Sequence, residues 1–185
     1  MKLVFFGTPE FAIPSLRALH ESEHRILAVV TAPDKQCGRG QKISPTPIKK
    51  VVNDFNYPVY QPISLTDPKF LEIMKNLGAD IFIVVAFKII PDLLISIPTK
   101  GSINLHASLL PKYRGASPIH HAILNGEIET GVTTFLITNK VDRGDILVQE
   151  NYKLSKDITS GEVYGHLSIL GAQVILTTLD RLKKN

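Results

Sequence analysis

The chain has one cysteine, Cys37, so no internal disulfide framework is open to it, and this usage fits a reducing compartment. Its longest apolar run, Ile81 to Phe87, falls far short of the ~20 residues that a membrane-crossing helix needs. The opening Met1-Lys2-Leu3-Val4 lacks the architecture of a cleavable secretory signal. The expected location is therefore the cytoplasm, with no membrane partner. Internal repeats and low-complexity segments are also missing. After the first apolar segment comes Gly7-Thr8-Pro9, without the G-x-G-x-x-G that brings backbone close to a pyrophosphate, which disfavours a dinucleotide cofactor. No cysteine-rich set suggests a zinc site, and the adjacent His120 and His121 would project about 100° apart on a helix, so no metal is expected. Charge of one sign is in only slight excess: 21 basic against 17 acidic residues give +4 and a pI near 9.1. That balance permits a polyanionic partner without requiring one.

What is present is an ordinary globular composition, 44% hydrophobic and 21% charged over 185 residues, enough for one well-filled core. Lys2 to Phe6 reads as a short buried strand. Pro14 marks the entrance of a helix that carries Leu16 and Leu19 inward. Ile26 to Thr31 is a second buried strand, a helical segment spans Pro47 to Phe55, and Pro58 to Tyr60 is a short extended piece. A helical pattern over Pro68 to Leu77 leads to Ala79–Val85, the most strongly apolar strand and hence the expected centre of the sheet. Further strands are expected at Ser102 to Leu105, Val132 to Thr138 and Ile146 to Leu154, with a helix over Ser117 to Asn125. A last helix opens with the capping-box spacing Thr159-Ser-Gly-Glu162 and ends on Lys183 and Lys184, which suit the negative end of its dipole. This alternation predicts an α/β fold, a Rossmann-like doubly wound, mostly parallel sheet with an antiparallel C-terminal part.

Open parallel sheets bind ligands beyond the carboxyl ends of their strands, so those ends are where chemistry is sought. One of them carries Asn104-Leu105-His106, whose period of two places an amide and an imidazole on one face. Taken alone, such a pair is most often a buried polar pair satisfied by backbone groups. Here it runs on into Ala107-Ser108-Leu109-Leu110-Pro111-Lys112-Tyr113-Arg114-Gly115 and is followed downstream by Val141-Asp142-Arg143-Gly144-Asp145.

The run Asn-x-His-x-Ser-Leu-Leu-Pro-x-Tyr-Arg-Gly with the later Asp-x-Gly-Asp resembles the active site of the folate-dependent formyltransferases, and the resemblance extends over essentially the whole chain. It implies a co-substrate, 10-formyltetrahydrofolate, and a catalytic group of Asn104, His106 and Asp142. Asn104 would donate to the oxyanion formed when an amine attacks the formyl carbonyl. His106 would move the proton from that amine toward the leaving folate nitrogen, because imidazole titrates near neutrality. Asp142 would orient or charge-stabilise the imidazole. By the same resemblance Ser108, Leu109, Leu110 and Pro111 lie along the reduced folate, and Phe87, Lys88 and Ile89, after the central strand, wall its pterin side.

Two segments bear on the acceptor. Phe6-Gly-Thr-Pro-Glu-Phe-Ala12 resembles the opening turn of the family branch that acts on initiator Met-tRNA. Ala32 to Lys50 is punctuated by glycine and proline and bears Lys35, Arg39, Lys42, Lys49 and Lys50 against one acid; it resembles that branch's tRNA-contacting insertion. Lys35, Arg39 and Lys42 are accordingly expected to meet tRNA phosphates. The branch also carries a C-terminal tRNA-binding barrel domain without counterpart here, so residues 1–185 are expected to form one catalytic domain, acting as a monomer on initiator Met-tRNA and a reduced folate. Three other readings stay open: another amine acceptor (an amino sugar or a ribonucleotide amine), hydrolysis of 10-formyltetrahydrofolate, and a noncatalytic folate- or RNA-binding module.

Overall fold

The computed structural model describes residues 1–37 and 42–184. Strand β1 (Lys2–Gly7) shows why the sheet is buried on both faces: Leu3 and Phe5 enter one core, Val4 and Phe6 another, and all four are fully buried. An apolar strand with no polar face is stable only when both faces are covered. Burying each of the phenylalanines contributes roughly 1.5–3 kcal/mol. The same alternation recurs in the later strand Ile81–Val85, where Ile81, Ile83 and Val85 enter the first core and Phe82 and Val84 the second.

In chain order the strands are β1, β2 (Arg25–Val30), β3 (Lys35–Cys37), β4 (Lys42–Ser44), β5 (Val59–Tyr60), β6 (Ile81–Val85), β7 (Ser102–His106), β8 (Glu129–Leu136) and β9 (Ile146–Lys153). Seven form one sheet in the order β5-β2-β1-β6-β7-β8-β9, so β6 lies at its middle, as its composition predicted. The first five in that order pair parallel, and β7-β8 and β8-β9 pair antiparallel. The helices are α1 (Ile13–His20), α2 (Pro47–Val52), α3 (Pro68–Asn76), α4 (Asp92–Ile95), α5 (Pro118–Leu124) and α6 (Ser160–Lys184). Residues of α1, α2, α5 and α6 join the first core; Phe70, Met74 and Leu94 of α3 and α4 join the second. This is the doubly wound, mostly parallel architecture with an antiparallel end.

The capping box is formed as its spacing implied: Glu162 N–H donates to Thr159 Oγ1 at 3.3 Å, and Thr159 N–H donates back to Glu162 Oε2 at 2.8 Å. These bonds hold the Glu162 carboxyl below the usual carboxylate range, the backbone bond from Thr159 first. Several details differ from the sequence reading: α2 stops at Val52 rather than Phe55, and β8 at Leu136 rather than Thr138. β8 starts at Glu129 rather than Val132, because β9 is long enough to pair with it out to Glu129↔Lys153. α4 is a single turn capped by Pro91, too short for any periodicity to register. The segment read as an irregular loop after β2 contains the antiparallel pair β3-β4.

No helix among the described residues is long and apolar enough to cross a membrane. Helix cover is also incomplete. The second core ends near β6, and the same face of β7 and β8 is roofed by two loops, residues 107–117 and 137–145.

Candidate active site

Asn104 and His106 project from β7 onto the face that lacks a helix, as the period of two required: across the β7-β8 ladder they stand opposite Phe135 and Thr133. Leu105, between them, turns into the first core, where it lies so close to Gly171 of α6 that a Cβ there would meet Leu105 Cδ2. The strand thus delivers an amide and an imidazole to one side because its apolar residue is claimed by the other.

His106 is 7% exposed, and its Nε2 lies 2.8 Å from the carbonyl of Tyr113. A carbonyl can only accept, so Nε2 carries the hydrogen and Nδ1 is left facing Asp142 Oδ2 at 3.7 Å. Asp142 reaches that position from the loop after β8. Its carboxylate accepts Gly115 N–H at 2.8 Å, and its carbonyl accepts Arg114 Nε at 2.6 Å. The loop's return to β9 requires Gly144, since any Cβ there would collide with the carbonyl of Leu136. Tyr113 and Asp142 both adopt left-handed backbone, with φ of +55° and +49°. Such residues cost of order 1–3 kcal/mol each and persist where the surroundings over-determine them. The three residues expected to form the catalytic group are therefore brought together.

The Ser108 to Pro111 loop is held from the sheet. Ser108 is fully buried with Oγ donating to the carbonyl of Lys112 at 2.7 Å, and Leu110 is 4% exposed. Thr133 Oγ1 donates to the Ser108 carbonyl at 2.6 Å and accepts Leu110 N–H at 3.2 Å. Gln149 Nε2 donates to the Leu110 carbonyl at 3.0 Å and to Thr133 Oγ1 at 2.8 Å. Leu109 packs where Gly131 leaves room for it. Sheet side chains capture the loop's polar backbone; Ser108 and Leu110 are buried, Pro111 is exposed, and none of the four residues lines either cavity.

Two cavities meet at Asn104 and Asp142. One, of about 350 Å³, has Val84, Asn104 and Phe135 among its lining, with Phe87, Lys88 and Ile89 on one side and Thr138 to Asp142 on the other. The other, of about 610 Å³, contains His106 and is bounded by Pro9, Phe11, Ser117, His120 and Tyr164. Phe87, Lys88 and Ile89 line both, following Ala86, whose φ of +48° turns the chain sharply off the central strand. Tyr164 accepts Phe11 N–H at 2.7 Å and its ring meets that of Phe11 edge-on; burial raises its hydroxyl above the ordinary value. No signal near the motifs pointed to Tyr164. It belongs to α6 and reaches the site only through the packing of that helix.

The basic segment after β2 is tied at its feet. Thr31 and Thr46 share a buried hydroxyl bond of 2.8 Å. Lys49 Nζ donates to Asp34 Oδ2 and to Gln61 Oε1, both at 2.6 Å, while Gln61 Nε2 donates to Asp34 Oδ1 at 2.7 Å. Lys49 is thus engaged within the chain, and the Gln61 and Lys49 bonds hold the Asp34 carboxyl below its usual range. Lys35 is exposed on β3; Lys42 begins β4, and Arg39 lies outside the described residues.

His20 and His24 have partners away from the two cavities. His20 and His24 are four apart, but α1 ends at His20, which stacks on Phe55 and bonds the Tyr57 hydroxyl at 2.7 Å. His24 lies beside the Met1 ammonium at 3.3 Å, and among the described residues Glu23, His24 and Asp180 bring possible ligand atoms within 4.8 Å of one another. Lys183 already binds Glu23 there at 2.6 Å.

A family model described as "Formyl transferase" matches residues 1–179. The chain is 48% identical over 181 residues to a methionyl-tRNA formyltransferase of Pelotomaculum thermopropionicum, covering 97% of this chain and 58% of that protein. It is 44% identical over 186 residues to one of Alkaliphilus oremlandii, covering 100% of this chain and 60% of that protein. The chain therefore spans under two thirds of the length of these relatives. Among solved structures, a phosphoribosylglycinamide formyltransferase from Streptococcus pneumoniae superimposes with a TM-score of 0.80 at 17% identity, covering 98% of each chain. A formyltetrahydrofolate deformylase from Pseudomonas syringae pv. tomato gives 0.77 at 20% identity, covering 99% of this chain and 61% of that one. At these identities the two structures establish the fold alone.

Proposed function

From the premise that the chain belongs to the formyl transferase family, we propose that it transfers the formyl group of 10-formyltetrahydrofolate to the α-amino group of methionine on initiator Met-tRNA. The observation that carries this reading is the convergence of Asn104, His106 and Asp142 at the seam of two cavities, one for each reactant. The folate occupies the smaller cavity, with its flat ring system against Phe87, Lys88 and Ile89. The methionyl end of the acceptor enters the larger one between Phe11, His120 and Tyr164. Ser108, Leu109, Leu110 and Pro111 support the folate side from beneath by fixing the loop that ends at Gly115.

The amine nitrogen attacks the formyl carbon, and the carbonyl oxygen becomes an oxyanion that Asn104 stabilises by donation from its amide. One such preorganised donor is worth about 3–4 kcal/mol. The amine gives up a proton to His106, with the Asp142 carboxylate beside the ring offsetting the positive charge it gains. Collapse of the intermediate expels the folate nitrogen, which takes up a proton, and leaves a formamide on the acceptor. Lys35, Arg39 and Lys42 meet phosphates of the acceptor RNA. Similarity to the methionyl-tRNA formyltransferases over 97–100% of the chain favours this acceptor over a ribonucleotide amine.

The test is formyl transfer from 10-formyltetrahydrofolate to initiator Met-tRNA at low salt, with folate binding titrated in parallel. Formyl-methionyl product is the expected result. Release of formate without product would instead establish a hydrolase, and absence of folate binding would overturn the reading.

A further inference from the structure

The hydrogen bond from His106 Nε2 ends on a backbone carbonyl that is itself held in an unfavourable conformation, and the groups holding it lie outside both cavities. Tyr113, whose carbonyl receives that hydrogen at 2.8 Å, has φ of +55°. Its hydroxyl donates to Glu127 Oε1 at 2.7 Å and accepts from Asn125 Nδ2 at 3.0 Å. Lys112 Nζ lies 3.2 Å from each oxygen of Glu127. The Tyr113 hydroxyl and then Lys112 hold the Glu127 carboxyl below the usual carboxylate range, so it remains an acceptor well into mild acid. Neither Tyr113 nor Glu127 lines either of these two cavities.

We propose that Tyr113 and Glu127 are positioning residues that fix the tautomer of His106: by holding the Tyr113 carbonyl against Nε2, they leave Nδ1 as the basic atom, beside Asp142. This rests on the reading of His106 as the proton-transfer group. It divides labour within the catalytic group. In a serine-type triad the carboxylate orients the imidazole through a ring N–H; here a carbonyl takes that part at Nε2, and Asp142 shares the other nitrogen. The carboxylate is then free to stabilise charge at the atom that receives the proton. Arg114, through its bond to the Asp142 carbonyl, and Gly115, through its bond to the carboxylate, join the two halves of the arrangement. They follow Tyr113 directly in sequence, so displacement of Tyr113 would disturb Nε2 and Asp142 together.

The experiment compares Tyr113→Phe, Glu127→Ala and Glu127→Gln with the parent chain, by steady-state formyl transfer and by nitrogen NMR of the His106 ring. The NMR readout needs no turnover, so failure of the proposed reaction is distinguished from failure of this proposal. The parent ring is expected in the Nε2–H form. Tyr113→Phe and Glu127→Ala should populate the other tautomer and lower kcat at least ~10-fold with the KM for folate unchanged. Glu127→Gln retains a carbonyl acceptor for the tyrosine hydroxyl and should restore both signals. A parent ring in the Nδ1–H form overturns the proposal, as do Tyr113→Phe and Glu127→Ala variants that keep the parent tautomer and kcat.

Discussion

Two loop systems extend from the sheet near its ligand-binding side, and they are built on opposite plans. Residues 107–117 and 137–145 are bound to each other and to the sheet: His106 to Tyr113, Gly115 and Arg114 to Asp142, Ser108 and Leu110 to Thr133 and Gln149. Among the described residues, the basic segment after β2 is secured where it leaves and rejoins the fold, by Thr31 with Thr46 and by Asp34, Lys49 and Gln61. Strands β3 and β4 pair with one another and with no strand of the main sheet. The difference teaches what each kind of partner demands. A proton passed between small groups needs atoms held to a fraction of an ångström. Attraction to a chain of phosphates needs charge within a Debye length and tolerates movement.

The comparison breaks most sharply at the catalytic face. His106→Ala should lower formyl transfer by ~100-fold or more while leaving the fold intact, at a cost of about 1–3 kcal/mol in stability for the Tyr113 carbonyl that loses its donor. Asn104→Ala should cost about 10²–10³ in kcat. Retained transfer in either variant, measured under saturating folate, would remove that side chain from its role. Next in size is Gly144→Ala. The added methyl meets the Leu136 carbonyl, so the Asp142 loop must shift; stability should fall by about 1–3 kcal/mol in a denaturant titration, with activity falling alongside.

The basic segment should respond differently. Arg39→Ala and Lys35→Ala should weaken use of the tRNA acceptor a fewfold and flatten its salt dependence, leaving folate affinity as it was. Equal loss of folate binding would mean that the two systems are not separable. The smallest effect is one of pH. The Asp34 carboxyl is depressed by its bonds to Gln61 and Lys49, so the feet of the basic segment are most secure above the ordinary carboxylate pKa. That contribution is lost as pH falls through the depressed value. Protection of the amides near Ala32 and Thr46, taken relative to the intrinsic exchange rate at each pH, should therefore fall on acidification in the parent and hold steady in Asp34→Asn.

Much of this was legible before any coordinates. The strand and helix order followed from apolar runs and from proline and capping signals: Pro47 and Pro68 each open a helix, and Thr159 with Glu162 caps the last. Asn104 and His106 on one face followed from a period of two, a property of any strand. The pair β3-β4 escaped because three-residue strands carry too little pattern to register. That side chains of β8 and β9 hold the backbone of the Ser108 to Pro111 loop was not legible, since partners such as Gln149 lie 39 residues from Leu110.

By itself, then, the sequence determined that an amide and an imidazole share one face at a strand end and which faces must be buried, because side-chain type and local periodicity are properties of neighbouring positions. Only the tertiary structure decided which nitrogen of His106 holds its hydrogen, that Asp142 lies beside the other, and that Tyr164 walls the larger cavity. Those outcomes depend on hydrogen bonds and packing between segments far apart in the chain, whose geometry exists only once the two cores have closed around the sheet.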